Sequence, residues 1–199
     1  MSSVSRVVLE VEDVAAAEVF YKTLGVDQYV DLRPATEEST GFRGFAISLV
    51  CSQPANVDAI VDAAVVAGAA PLKPAEKSFW GYGGVVRAPD GTIWKVASSS
   101  KKNRTPAARE FDEFVLLLGV EDVKATKQYY ADRGLPVAKS FGGKYVEFDA
   151  TPVKLALYPR KAAAKDIGVP AAGSGSHRLA VLSDLGAFTD PDGFAWEDA

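Results

Sequence analysis

The sequence predicts an α+β fold in which a strand–helix–strand unit is repeated along the chain. Two repeated phrases carry this prediction. Val-Glu-Asp-Val occurs in residues 7–25 and again in 116–134, each time followed at the same spacing by an aromatic pair and a glycine. Pro-Asp-Gly, followed two residues later by an apolar residue and Trp, occurs in residues 88–97 and again in 189–199. Because internal repeats of this kind mark repeated structural units, we expect an architecture that is built twice.

Each Val-Glu-Asp-Val segment predicts a strand followed by a helix. A run of leucine and β-branched residues precedes Asp13 or Asp122, where an N-cap carboxylate would accept bonds from the first backbone N–H groups of a helix. The aromatic pairs, Phe20–Tyr21 and Tyr129–Tyr130, are expected on the core-facing side of these helices. Gly25 and Gly134 are expected to end the helices in the left-handed conformation.

Two further segments predict hairpins and complete the unit. Lys-Ser-Phe leads through glycines into an apolar strand in both 77–86 and 139–148, and glycine permits the backbone conformations that tight turns need. Another strand follows each hairpin, so the unit is a strand, a helix and two or three antiparallel strands. The polar, helix-breaking segment 99–110 is interpreted as a linker between two domains, residues 1–98 and 111–199.

Composition excludes several function classes. The chain has 199 residues, a net charge of −4 and no arginine-rich run, which argues against nucleic acid or an anionic membrane as partner. We find no signal-peptide pattern and no apolar run long enough to span a membrane, so a cytoplasmic location is expected. The single cysteine, Cys51, lies in an apolar strand-like run and is interpreted as a buried small hydrophobe.

The repeated opening and closing phrases resemble those of the vicinal oxygen chelate superfamily, which contains glyoxalases, bleomycin-resistance proteins and extradiol dioxygenases. The resemblance implies tandem βαβββ modules whose curled mixed or antiparallel sheets form clefts, with helices on the outer faces. Segment 45–97 matches a complete module, as does the segment that starts at Leu116. The first module, up to Arg33, and the last, from His177, are abridged. We expect the two complete modules to form the structural core.

In metal-using members of the superfamily, His and Glu on the first and last strands of each module bind a divalent ion. Position by position, the opening His corresponds to Arg6 in the first domain and to Val115 in the second, whereas the closing Glu corresponds to Lys95 and to Glu197. The resemblance therefore implies no metal in the N-terminal domain. His177, the only histidine, matches an internal ligand position, so His177 and Glu197 are predicted as a divalent-metal pair in the C-terminal domain, or alternatively as a hydrogen-bonded pair or unrelated residues. His177 is also the candidate general base.

Without a metal, the cleft is expected to bind a small molecule directly. Phe79, Trp80 and Tyr82 lie among glycines on the first hairpin and could stack on an aromatic or cationic ligand, or could instead cap the core. Arg6 and Lys95 could bind an acidic group of that ligand, or could form ordinary surface ion pairs.

Three functions remain open on this basis. The first is a glyoxalase-like protein that binds a small, aromatic or cationic molecule and needs no cofactor. The second is a metal-dependent lyase or dioxygenase with one site at His177 and Glu197, and the third is a non-catalytic structural or regulatory protein with a filled cleft. A monomer or a homodimer is compatible with the sequence.

Overall fold

A computed structural model describes residues 3–199 of the chain. These residues form an α+β structure, which confirms the predicted fold class. The helices are α1 (Val14–Leu24), α2 (Pro54–Val66), α3 (Val123–Asp132) and α4 (Arg160–Ile167). The strands are β1 (Ser3–Val11), β2 (Val30–Pro34), β3 (Ser39–Gly41), β4 (Phe45–Val50), β5 (Ala70–Ser78), β6 (Gly81–Arg87), β7 (Ile93–Ser98), β8 (Glu113–Val120), β9 (Val137–Ser140), β10 (Val146–Phe148), β11 (Thr151–Pro159), β12 (Gly173–Gly175), β13 (Leu179–Ser183), β14 (Phe188–Thr189) and β15 (Ala195–Asp198).

The two repeated helices begin as the sequence predicts. The side chain of Asp13 accepts a hydrogen bond from the Ala16 N–H, and Asp122 accepts from the N–H groups of Lys124 and Ala125. Gly25 ends α1 with a φ of 71°, in the left-handed region that an L side chain rarely adopts. The predicted caps of α1 and α3 are therefore confirmed.

The strands form one large sheet with two regions, and a separate ribbon of β3 and β12. The central region has the order β9-β10-β11-β8-β4-β7-β6-β5, in which β4 and β8 are antiparallel neighbours. The terminal region has the order β2-β1-β13-β15-β14, in which β1 and β13 are antiparallel neighbours. The two regions join where Ser3 and Val4 of β1 pair with Thr151 and Pro152 of β11.

Two of these strand pairs, β1–β13 and β4–β8, join residues that lie before the predicted linker to residues that lie after it. The first strand of the chain pairs with a strand near its end, and the two complete modules pair with each other through β4 and β8. Segment 99–110 is itself fixed by hydrogen bonds. Both the Arg104 and the Thr105 N–H groups donate to Gln53 Oε1 at the start of α2, at 2.8 and 3.0 Å, and Asn103 accepts from Ala55 N at 2.8 Å.

The central region is covered on both faces. On one face, Ile47, Trp94 and Leu116 lie in one cross-strand row and belong to the main apolar core with residues of α2. On the other face, Ala46, Val85 and Ile93 pack against Ala164 and Ile167 of α4 in a smaller apolar cluster. α4 is therefore an amphipathic helix that buries Ala164 and Ile167 on the sheet.

Candidate functional site

Four residues form a cross-strand row on the face of the central region that α4 covers in part. Lys95 of β7 pairs with Ser48 of β4, Ser48 pairs with Val115 of β8, and Val115 pairs with Lys154 of β11. Directly paired residues point to the same side of a sheet, so all four side chains share one face. Lys95 and Val115 are the positions that the resemblance assigns to a closing Glu and an opening His. The structure thus brings together one ligand position from each predicted domain.

The two lysines of this row each have a carboxylate partner. Lys95 Nζ lies 2.6 Å from Asp166 Oδ2 on α4, and Lys154 Nζ lies 2.5 Å from Glu113 Oε1 on β8. Lysine has only donors to offer, and an ammonium group repels a divalent cation. Since neither Ser48 nor Val115 is a typical ligand, this row does not fit a metal ion and is better suited to a ligand that accepts hydrogen bonds.

Beside Lys95 lies a cleft of about 280 Å³, which we name the Lys95 cleft. It is bounded by the β5–β6 hairpin, the end of β7 and the end of α4, and its lining includes Lys73, Trp80, Tyr82, Lys95 and Asp166. Lys73 Nζ donates to the carbonyl oxygen of Asp166 at 2.5 Å, so the two lysines hold the last turn of α4 against the sheet. A cation near the carbonyl end of a helix is also favoured by the helix dipole.

The aromatic residues of this hairpin differ in exposure. Phe79 and Trp80 are 82% and 84% exposed and contact each other edge to face, with ring centroids 4.9 Å apart. They therefore do not cap the core. The Tyr82 hydroxyl donates a hydrogen bond to Asp58 of α2 at 2.7 Å, on the face of the sheet that α2 covers. This hydrogen bond, with burial and the Asp58 charge, raises the pKa of Tyr82 to about 12.

In the terminal region, a second row contains the other two ligand positions. Arg6 of β1 pairs with Leu182 of β13, and Leu182 pairs with Glu197 of β15. Arg6 forms an ion pair with Asp31 at 3.0 Å. Three strands separate β1 from β7 in the sheet, so Arg6 and Lys95 do not belong to one site.

Glu197 is bound by an arginine that the sequence analysis did not single out. Arg33 of β2 donates to both Glu197 oxygens, at 2.8 and 3.1 Å, and to Glu10 Oε1 at 2.8 Å. Burial would lower the pKa of Arg33, but the bonds to Glu197 and Glu10 outweigh it and raise the pKa. The i, i+2 spacing of Asp31 and Arg33 indicates only that both side chains share one face of a strand, and no short sequence pattern signals the pairing of Arg33 with Glu197.

His177 lies apart from Glu197, two residues before β13. Its Nδ1 is 2.5 Å from the carbonyl oxygen of Arg43, and its Nε2 is 3.0 Å from that of Asp192. The ring stacks on Phe194 with a centroid distance of 4.0 Å. The structure therefore does not bring His177 and Glu197 together, and each has other partners. Within residues 3–199, no group of three or more His, Cys, Asp or Glu side chains is arranged to hold a metal ion.

A cluster of Glu147, Tyr145 and Lys139 lies next to Lys154, with Glu147 on the same face of the sheet. Glu147 of β10 accepts from Tyr145 at 2.7 Å and pairs with Lys139 at 3.2 Å. Burial raises the pKa of Glu147, but these two donors outweigh it, so that the pKa is lowered overall. Burial and the bond to Glu147 raise the pKa of Tyr145. The group is thus a neutral phenol that donates to a carboxylate at ordinary pH.

Comparison with known proteins identifies the fold. No protein-family model and no curated protein sequence matches this chain. Among solved structures, glyoxalase I from Zea mays aligns over 98% of this chain and 91% of its own, with 12% identity and a TM-score of 0.62. The chain has the glyoxalase fold. A candidate dioxygenase from Bacillus subtilis aligns over 96% of this chain and 71% of its own, with 13% identity and a TM-score of 0.54.

The glyoxalase fold agrees with the resemblance that the repeated phrases indicate, and the alignment with the maize structure spans both halves of the chain. Both rows described above lie on the large mixed sheet of this fold. None of the helices in residues 3–199 has the length and apolar character needed to cross a bilayer.

Proposed function

We propose that this glyoxalase-fold protein binds a small aromatic molecule in the Lys95 cleft. The observation that carries the proposal is the position of Lys95. It lies in the cross-strand row that also contains Val115, the other ligand position on this face, and it lines a cleft beside the exposed Trp80. An ammonium group in a partly apolar cleft would bind a carbonyl, phenolate or carboxylate oxygen of the ligand, and a flat ring would stack on Trp80.

The charges of the cleft give a cationic ligand no advantage over a neutral aromatic one. Lys73 and Lys95 are offset by Glu76 and Asp166, so the charged lining residues sum to zero. Asp166 is already paired with Lys95, and its backbone carbonyl accepts from Lys73. A cation would have to enter beside two ammonium groups, whereas a neutral aromatic molecule with an acceptor oxygen would not.

Tryptophan emission can test this proposal because the three tryptophans differ sharply in exposure. Trp94 and Trp196 are 0% and 1% exposed, against 84% for Trp80. We expect 4-nitrobenzyl alcohol, a neutral aromatic quencher, to quench the red-shifted emission of Trp80 in a saturable manner. N-methylquinolinium, a cationic aromatic compound, should bind more weakly.

Two variants locate the site. Lys95→Gln should weaken saturable binding of 4-nitrobenzyl alcohol by about tenfold, the equivalent of one lost charge-assisted hydrogen bond. Arg109→Gln, an exposed change in segment 99–110, is the control and should leave binding unchanged. A quench that is linear in quencher concentration, or that persists in Trp80→Phe, would show that the ligand is not bound at this cleft. Thermal unfolding of each variant establishes that it is folded.

A further inference from the structure

A second cavity, at the opposite end of β7 from the Lys95 cleft, has no role in the function proposed above. It has a volume of about 270 Å³ and lies between segment 39–45, the turn 87–93 and segment 169–172. Arg43 and Arg87 line it together with Phe42, Ile93 and Val169, and we name it the Arg43 cavity. We propose that the Arg43 cavity binds a small organic acid, with its carboxylate between Arg43 and Arg87 and its apolar body against Phe42 and Ile93.

The walls of this cavity are fixed by hydrogen bonds. Phe42 N donates to the carbonyl oxygen of Ala172 at 3.0 Å. Arg160 joins the same two segments, since its Nη2 donates to Phe42 O at 2.7 Å and its Nε to Ala171 O at 3.2 Å. The backbones of these two segments also lie so close together that no side chain fits at Gly41, where an added Cβ would lie 2.4 Å from Ala172 O. The cavity is therefore preformed, which reduces the conformational entropy that the protein loses when a ligand binds.

Arg43 has a fixed position but lacks a counter-ion. Its Nη2 donates to the carbonyl oxygen of Asp90 at 2.7 Å, and its guanidinium lies against Gly91, where an added Cβ would approach Nη2 to 2.8 Å. Within residues 3–199, no carboxylate lies within ion-pair distance of Arg43. Burial lowers the pKa of this guanidinium. The charge of Asp90 raises the pKa, and the charge of Arg178 lowers it further. A partly buried guanidinium without a carboxylate partner is stabilised when an anion binds beside it.

The cavity itself favours an anion with an apolar body. Its charged lining residues are two arginines, and no carboxylate is among the described residues that line it. The nearby Asp90 carboxylate is occupied by the Tyr21 hydroxyl and by Thr92 N. Two guanidinium groups match the geometry of a carboxylate, and the apolar walls match a hydrocarbon or ring.

Amide chemical shifts from NMR, recorded during titration with benzoate, would test this proposal. We expect benzoate to shift the amides of Gly91, Thr92 and Ala172, and benzamide, which has the same shape and no charge, to leave them unchanged. Arg43→Gln and Arg87→Gln should each weaken benzoate binding by at least about tenfold. The control Arg109→Gln should bind benzoate as the unchanged protein does.

Four results would overturn the proposal. The first is equal binding of benzamide, which would indicate an apolar slot. The second is inorganic phosphate shifting these amides where benzoate does not, which would indicate a site for inorganic anions. The third is unchanged benzoate binding in Arg87→Gln, an exposed substitution that decides the matter even if Arg43→Gln does not fold. Shifts confined to the Lys95 cleft would likewise count against it, and would bear on the proposed function instead.

Discussion

Arg33 and Glu197 form an ion pair at 2.8 Å although their strands, β2 and β15, are separated in the sheet by β1 and β13. Neighbouring strands lie about 4.8 Å apart, so side chains three strand spacings apart can meet only if the sheet curls strongly. Arg33 also pairs with Glu10 of β1. The ion pairs therefore occupy the side toward which the terminal region curls.

We expect Arg33→Met to destabilise the protein by about 1 kcal/mol, a modest value because the Arg33 side chain is 39% exposed. The change leaves Glu10 and Glu197 facing each other without their shared cation. Urea unfolding at pH 7 measures the effect. The triple variant with Glu10→Gln and Glu197→Gln should recover part of the loss. A triple variant less stable than Arg33→Met would contradict the arrangement.

His177 is predicted to have a structural role. Its two ring nitrogens lie within hydrogen-bonding distance of the carbonyl oxygens of Arg43 and Asp192, so the ring links the two segments that contain them. We expect His177→Phe, which retains the stacking on Phe194, to lower the unfolding free energy by about 1–2 kcal/mol. The metal content of the purified protein should be the same with and without this change. Loss of a bound divalent ion in His177→Phe would instead support the metal pair predicted from the sequence.

Gly119 allows α4 to approach β8. A Cβ at this position would lie 3.0 Å from Gly44 O and 3.2 Å from both Ala163 Cβ and Arg160 Cα. Gly119→Ala should therefore cost about 1–3 kcal/mol, as overpacking does elsewhere, and should weaken probe binding in the Lys95 cleft by shifting α4. Gly143→Ala is the matched control, since its nearest neighbour would be Lys124 Cε at 3.9 Å. Equal thermal stability of the two variants would contradict the close packing of α4.

Two buried tyrosines, Tyr21 and Tyr130, donate to Asp90 and Asp190. Burial, followed by the charge of Asp190, raises the pKa of Tyr130 well above its ordinary value. A group whose pKa is raised on folding stabilises the protein below its unfolded pKa, near 10, and this contribution is lost as the pH rises through the folded value. We expect stability to fall above about pH 10, and less steeply in Tyr130→Phe.

At pH 8, Tyr130→Phe should lower the unfolding free energy by about 1–3 kcal/mol because Asp190 loses its hydroxyl donor in a buried position. Tyr129→Phe on the same helix serves as the control. The Tyr129 hydroxyl donates to the Thr189 carbonyl at an exposed site, so a smaller loss is expected. If both variants showed the same alkaline profile as the unchanged protein, Tyr130 would not be the responsible group.

Cys51 should not react with thiol reagents while the protein is folded. The residue is buried, and burial together with Asp112 raises the pKa of its thiol to about 12, so that almost no thiolate exists at pH 8. We expect dithionitrobenzoate to modify one thiol per chain in urea and to react at least about a hundredfold more slowly in buffer. Rapid reaction in buffer would mean that β4 and its neighbours open readily.

The sequence was sufficient to predict the helices and their caps, but not which residues distant in the chain would contact each other. The caps at Asp13 and Asp122 and the glycines that follow the helices depend on residues a few positions apart, and these were predicted correctly. The choice of Arg33 as the partner of Glu197 depends on strand order and sheet curl, which no short pattern encodes. The same holds for the contact of Ala164 and Ile167 of α4 with the sheet, because it depends on residues distant in the chain.

The pairing of β1 with β13 has a consequence for the order in which the protein is made. Val7 and Val181 are directly paired, so a ribosome must add about 170 residues after β1 before β13, its antiparallel neighbour, exists. β4 pairs with β8 and β8 with β11, all within residues 45–159, so these strands have those partners before β13 is made. During that interval β1 presents an unpaired apolar edge, and its protection depends on α1, β2 or a chaperone until the last strands emerge.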